Sequence, residues 1–225
     1  EVRLIGALAL KPDPLSAAAR DWPPAQDAAR ALAALVEGRV VTLRYAGRRR
    51  DRYGRVLAQV HVGTPDGEAW VQERLIRDGH ARAYALPGNA GCIAPLTAAE
   101  ADARAAGRGL WRRDAYRVRI ADEVGALLKL AGRFTVVEGR VVEVTRTQRV
   151  TYLNFGADWR SDFTVRLANA VVDRNDSGAE RLRGLAGKTV RVRGWIERRN
   201  GPMIVLGSPD EIEVLDDVGA APMPR

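Results

Sequence analysis

Hydrophobic and polar positions along the chain alternate between two rhythms. Val2-Arg3-Leu4-Ile5, Val40 to Tyr45 and Val56 to Val62 follow the period of two expected of half-buried strands. Ala28, Leu32, Leu35 and Val36 recur instead at helical spacing, and Gly38 follows them, which predicts a helix over residues 25–37. Val71, Leu75 and Ile76 repeat the pattern before Gly79. Thr97 with Glu100 three places on has the spacing of a capping box for a helix running to Ala106. Gly47 marks a turn between the second and third strands, and the stretch from Pro12 to Pro24 reads as a loop.

After Tyr116 the rhythm changes. Val118, Ile120, Val124, Leu127, Leu128 and Leu130 predict a linking helix closed by Gly132, so the expected division is a first domain over 1–129 and a second over 130–216. The second domain reads as strands at 135–145, 150–155 and 163–167, a short helix at 179–185, then strands at 189–197 and 203–206 around an Asn200-Gly201 turn. The segment 209–215 completes it. A helix between the third and fourth strands of a small barrel is the pattern of an oligonucleotide-binding fold. Residues 217–225, with two prolines and several small residues, are expected to be a disordered tail.

At 225 residues and 46% hydrophobic content the chain can form two modest cores, and no apolar run approaches the roughly 18 residues of a membrane span. The net charge is +8 and both halves carry an excess of basic residues, which favours an anionic partner, nucleic acid above all. The weight of that sign is tempered by composition: 33 of the 36 basic residues are arginine, a bias that GC-rich coding also produces. Cys92 is the single cysteine, so no internal disulfide forms. His61 and His80 have no companion at ligand spacing, and Trp22 and Trp70 suit packing better than base stacking.

The motif Asp51-Arg52-Tyr53-Gly54-Arg55 places a guanidinium beside a glycine at the start of a strand. Glycine permits close backbone approach, and the planar fork of arginine grips a phosphate bidentately. The run Arg48-Arg49-Arg50, with Arg52 and Arg55, is the densest basic cluster; it either meets a nucleic-acid backbone or is a solvated loop tip. With Val2-Arg3-Leu4-Ile5-Gly6 before it, and Gly67 to Ala81, Ala99 to Arg104 and Gly109-Leu110-Trp111 after it, the first half of the chain resembles the thermonuclease (staphylococcal-nuclease-like) family.

That resemblance implies a Greek-key barrel with helices, hence an α+β, mainly β chain of two tandem barrels, the first of thermonuclease type. It implies calcium-assisted phosphodiester hydrolysis in active members, with Arg3 and Arg55 as the phosphate clamp. Arg52 and Tyr84 become candidates for nucleotide contact. It also favours an exported or periplasmic location. The departures bear on activity: where the family reads Ile-Asp-Ala-Pro-Glu, this chain reads Ala7-Leu8-Ala9-Leu10-Lys11. Neither leucine nor lysine supplies an oxygen ligand for calcium or a general base. Asp13 is the residual acidic candidate. The family's first hairpin, with a further carboxylate, would precede Glu1.

Three functions stay open on this reading. The first is a protein that binds single-stranded DNA or RNA through its backbone with little or no hydrolysis. The others are an active calcium-dependent nuclease and a non-catalytic protein-interaction scaffold. No metal ligands are assigned, and calcium is the cofactor only if the chain is active. In the second domain, Tyr152, Arg191 and Arg193 are either a base-stacking platform with a phosphate rail or ordinary cross-strand packing beside a wet arginine face.

Overall fold

The computed structural model describes residues 1–9, 23–174 and 178–215. They form an α+β chain, rich in strands, that divides into two compact units, Glu1–Arg117 and a second beginning at Val118. No helix among the described residues is long and apolar enough to cross a membrane.

In the first unit, β1 (Val2–Leu4) and β2 (Gly6–Ala9) are followed by α1 (Pro23–Val36), β3 (Val41–Arg44), β4 (Val56–Thr64) and β5 (Gly67–Trp70). Then come α2 (Val71–Arg77), β6 (Ala81–Tyr84) and α3 (Ile93–Ala105). The nine-residue β4 is the spine. β1 runs parallel to its first part with Arg3 opposite Leu57, while β3 and β5 pair antiparallel to the rest. β2 leaves that sheet to pair with β6. Gly6 makes the departure possible: its φ is +89°, and a Cβ there would stand 2.4 Å from Leu96 Cδ1. Val60, Val62, Val71, Leu75, Ile76 and Leu96 form the core beneath, flanked by Leu32 and Leu35 of α1.

The helix expected over 25–37 is α1, and Gly38 follows it at φ +70°. The capping box is a correction. α3 begins four residues ahead of Thr97, whose hydroxyl bonds the Ala94 carbonyl inside the helix, three residues back. Glu100 is fully buried; its carboxylate accepts the Ala83 amide at 2.9 Å and pairs with Arg104 at 3.3 Å, tying α3 to β6.

The second unit holds β7 (Arg119–Ile120), α4 (Val124–Lys129), β8 (Phe134–Arg140), β9 (Glu143–Arg146), β10 (Val150–Asn154) and β11 (Thr164–Ala168). After α5 (Asn169–Val172) and α6 (Gly178–Arg183) come β12 (Thr189–Trp195), β13 (Glu197–Arg199), β14 (Gly201–Leu206) and β15 (Glu213–Val214). One sheet has the order β13-β14-β11-β10-β9 and the other β15-β12-β8-β7. Val144, Leu153, Val165 and Ile204 line the core face of the first, and Val137, Val190 and Val192 come from the second.

The long linking helix is not formed. Arg119 and Ile120 pair parallel to β8, so only six residues are left for α4, and both elements belong to the second unit. The expected closed barrels are not what the sheets form either: in both units the strand paths are open among the described residues.

Candidate phosphate clamp

The turn before β4 is held by the side chain at its start. Asp51 Oδ1 accepts the backbone amides of Tyr53 at 2.9 Å and Arg55 at 3.1 Å, and the Asp51 amide donates to the Arg55 carbonyl at 3.1 Å. Gly54, at φ +80°, supplies the left-handed step that brings Arg55 back beneath Asp51. The second carboxylate oxygen then binds the guanidinium: Asp51 Oδ2 lies 2.7 Å from both Arg55 Nε and Nη2.

Arg3 arrives from the neighbouring strand. Its Nη1 is 3.9 Å from the same Asp51 oxygen, and Glu1 Oε1 is 3.7 Å from Arg55 Nη1. Two guanidinium groups from parallel strands therefore converge on one anionic oxygen. Desolvation pushes the Asp51 carboxyl up, but the Arg55 guanidinium and the two amides outweigh it and hold the group below its ordinary value. The Asp51 contact in turn holds Arg55 above its ordinary value. Both stay charged at neutral pH.

What fixes β1 against β4 is a buried glutamine. At the point where β1 leaves the spine, Gln72 Oε1 accepts the Val60 amide at 3.0 Å, and its Nε2 donates to the carbonyls of Ala58 at 2.9 Å and Ile5 at 3.2 Å. This side chain takes the place of a strand along β4 where β1 departs. Over the clamp lies Tyr53, 67% exposed, with Arg52 Cζ 4.7 Å and Arg55 Cζ 5.4 Å from its ring centroid.

The family model for staphylococcal nuclease homologues matches residues 2–113, which takes in every residue of this clamp except Glu1. Residues 2–113 are a staphylococcal nuclease homologue domain. Its family points to a nuclease-type, nucleic-acid-binding function. Comparison with curated proteins finds no match.

Within the nuclease homologue domain the sequence candidates separate. Arg3, Arg52 and Arg55 gather around Asp51 and Tyr53. Tyr84 lies on another ladder, opposite Gly6 where β2 meets β6. Leu8 pairs with Arg82 on that same ladder. Asp13 and Lys11 lie outside the described residues. Asp51, Gln72 and Tyr53 are not candidates by the sequence reading, although Asp51 and Tyr53 stand inside the 51–55 motif. The signal was the Asx-turn spacing, an aspartate two residues before the amide it accepts.

Calcium requires several oxygen ligands. Among the described residues no three His, Cys, Asp or Glu side chains come together as a metal site. Asp51 already spends one oxygen on amides and the other on guanidinium. The described residues of the nuclease homologue domain do not fit the ion. His61 pairs with Glu68 at 3.4 Å and stacks on Trp70; burial, with help from Arg44 and against Glu68, pushes its pKa down.

In the second unit, Tyr152 and the two arginines are not brought together. Tyr152 in β10 sits opposite Thr145 and Arg166, and Arg166 opposite Val205, forming one row across four strands. Arg191 and Arg193 belong to β12 in the other sheet. Arg191 is 2.9 Å from Glu138 and 3.5 Å from Glu213, while Arg193, 2% exposed, also pairs with Glu213.

Proposed function

We propose that the nuclease homologue domain grips the phosphodiester backbone of single-stranded nucleic acid through Arg3 and Arg55, with little or no hydrolysis. The observation that carries this reading is the convergence of both guanidinium groups on Asp51 Oδ2. A bound diester oxygen takes over that position, and the internal carboxylate keeps the forks aimed until it does. Hydrolysis requires a base and a means of neutralising developing charge beyond two arginines. Leu8 and Lys11 stand where the family resemblance puts acidic residues, which supports binding without efficient chemistry.

The second unit is proposed to have oligonucleotide-binding topology. Support comes from the parallel pairing of β11 with β14, the helices α5 and α6 between β11 and β12, and the antiparallel pairing of β8 with β12. Tyr152 with Arg166 is its candidate contact row. Arg191 and Arg193, held by carboxylates, are assigned a structural part.

The test is anisotropy of labelled dT12 with the full chain at 50 and 200 mM salt, beside digestion assays with calcium or a chelator. Affinity is expected to fall with salt by about 0.7 log units per log unit of salt for each phosphate engaged, and to fall again in Arg55→Ala. Cleavage that calcium supports and chelator abolishes would establish the active-nuclease reading instead. Salt-independent or absent binding would overturn the clamp and favour the scaffold reading.

A further inference from the structure

The loop between β3 and β4 carries a second aromatic and basic group that the clamp does not use. Tyr45 is 47% exposed, and the Arg49 guanidinium lies 5.3 Å from its ring centroid. Arg48, Arg49, Arg50 and Arg52 have no carboxylate within ion-pair distance among the described residues. Counting Arg3 and Arg55, six arginines along this edge face, among the described residues, only the carboxylates of Glu1 and Asp51.

The edge is continuous with the clamp. The Arg49 carbonyl accepts the Leu57 amide at 2.9 Å and Arg50 forms an isolated bridge with Val56, so this segment flanks β4 on the side opposite β1. Leu57 is also the partner of Arg3, which puts the backbones of Arg49 and Arg3 on one rung, about 10 Å apart across two strand spacings.

The loop is also braced. Asn89 Nδ2 donates to the carbonyls of Ala46 and Arg48, the Arg48 amide donates to Gly88, and a Cβ on Gly47 would stand 2.0 Å from the Gly88 oxygen. A merely solvated loop tip has no need of such anchoring. A fixed, exposed ring with a guanidinium over its face and unpaired cations beside it suits an unpaired base and its phosphates.

We infer that Tyr45, with Arg48 and Arg49, is a second contact station over which a single strand gripped at Arg3 and Arg55 continues. This rests on the clamp reading. A double helix keeps its bases stacked on one another and gains nothing from the ring; a single strand gains a stacking partner and two phosphate contacts. Because every base has a π-face, the station does not discriminate sequence, and it acts only on ligands long enough to reach it.

Anisotropy with labelled dT3, dT12 and rU12, using the full chain, separates the two. Tyr45→Ala is expected to weaken dT12 and rU12 about tenfold while leaving dT3 unchanged, and Tyr45→Phe to restore wild-type affinity. Arg49→Ala should lower the salt slope on dT12 by about 0.7 and leave that on dT3 unchanged. Arg55→Ala should weaken all three ligands. If Arg55→Ala loses dT3 while Tyr45→Ala keeps full dT12 affinity, the clamp stands and the station is overturned. Equal loss of dT3 and dT12 in Tyr45→Ala, or failure of Tyr45→Phe to restore binding, also overturns it. If Arg55→Ala binds dT3 as wild type does, the clamp reading itself fails.

Discussion

Gln72→Leu tests whether one side chain holds the strand that delivers Arg3. The substitution keeps the volume nearly constant and removes three hydrogen bonds at the β1 exit. Ala58 keeps a partner for its carbonyl, because the Ile5 amide still donates to it at 3.2 Å. The Val60 amide and the Ile5 carbonyl lose their Gln72 partner, and both residues are buried. At about 1–3 kcal/mol for each orphaned group, the cost is about 2–6 kcal/mol. For a unit of this size that corresponds to a fall of about 8–24 °C in thermal midpoint. Calorimetry of the full chain beside wild type is the assay. A shift below about 2 °C would refute the claim that Gln72 replaces a strand here. With the register of β1 loosened, dT12 affinity measured well below the new midpoint should fall too; unchanged affinity would leave Gln72 a stability role and remove its role in aiming the clamp.

The remaining predictions concern charge. Asp51→Asn keeps the oxygen that accepts the Tyr53 and Arg55 amides but removes the internal counterion, so dT12 should bind more tightly and with a salt slope steeper by about 0.7. Weaker binding would show that the carboxylate does more to aim Arg55 than to compete with ligand. Glu211 in the second unit is pushed up to about 7 by burial, with Asp210 adding to the rise and Gly207, Ser208 and Arg193 opposing it. The folded state therefore holds a proton that the unfolded chain releases near its ordinary value of 4.5, and stability falls as pH rises from about 4.5 to 7. Glu211→Gln should remove that slope and raise the midpoint at pH 8, corresponding to about 3 kcal/mol at most. Identical pH dependence of unfolding in the two proteins would refute it.

Local chemistry carried much of the fold into view. Gly38 and Gly79 stop helices because each takes up positive φ where a side chain would strain, and Asn200, at φ +65°, with Gly201 turns the last hairpin. The misreadings share a cause. Apolar spacing from Val118 to Leu130 suits a helix, but a parallel pairing to β8 claims Arg119 and Ile120, and periodicity cannot register a partner strand that comes later in the chain. Thr97 and Glu100 satisfy the capping signature, yet Glu100 is claimed by the Ala83 amide seventeen positions away. Arg191 and Arg193 alternate with buried valines and so read as a wet face; the carboxylates that pair with them stand on β8 and β15.

The clamp shows how far a short motif can go. The turn 51–55 is self-contained: its aspartate, glycine and arginine specify one another through bonds of two to four residues' reach, so Arg55 could be placed from sequence. Arg3 could be placed only by resemblance, since its approach depends on the parallel pairing of β1 with β4 and on Gln72. The role of Asp51 escaped for a subtler reason. In sequence it looks like one more charge in a solvated turn, whereas in three dimensions it satisfies two amides and two guanidinium groups at once. An anion that pairs with both arginines offsets the repulsion between them. It also sets the direction of the decisive experiment: if Asp51 is a placeholder for phosphate, removing its charge must strengthen nucleic-acid binding, and every purely structural account of the turn expects the reverse.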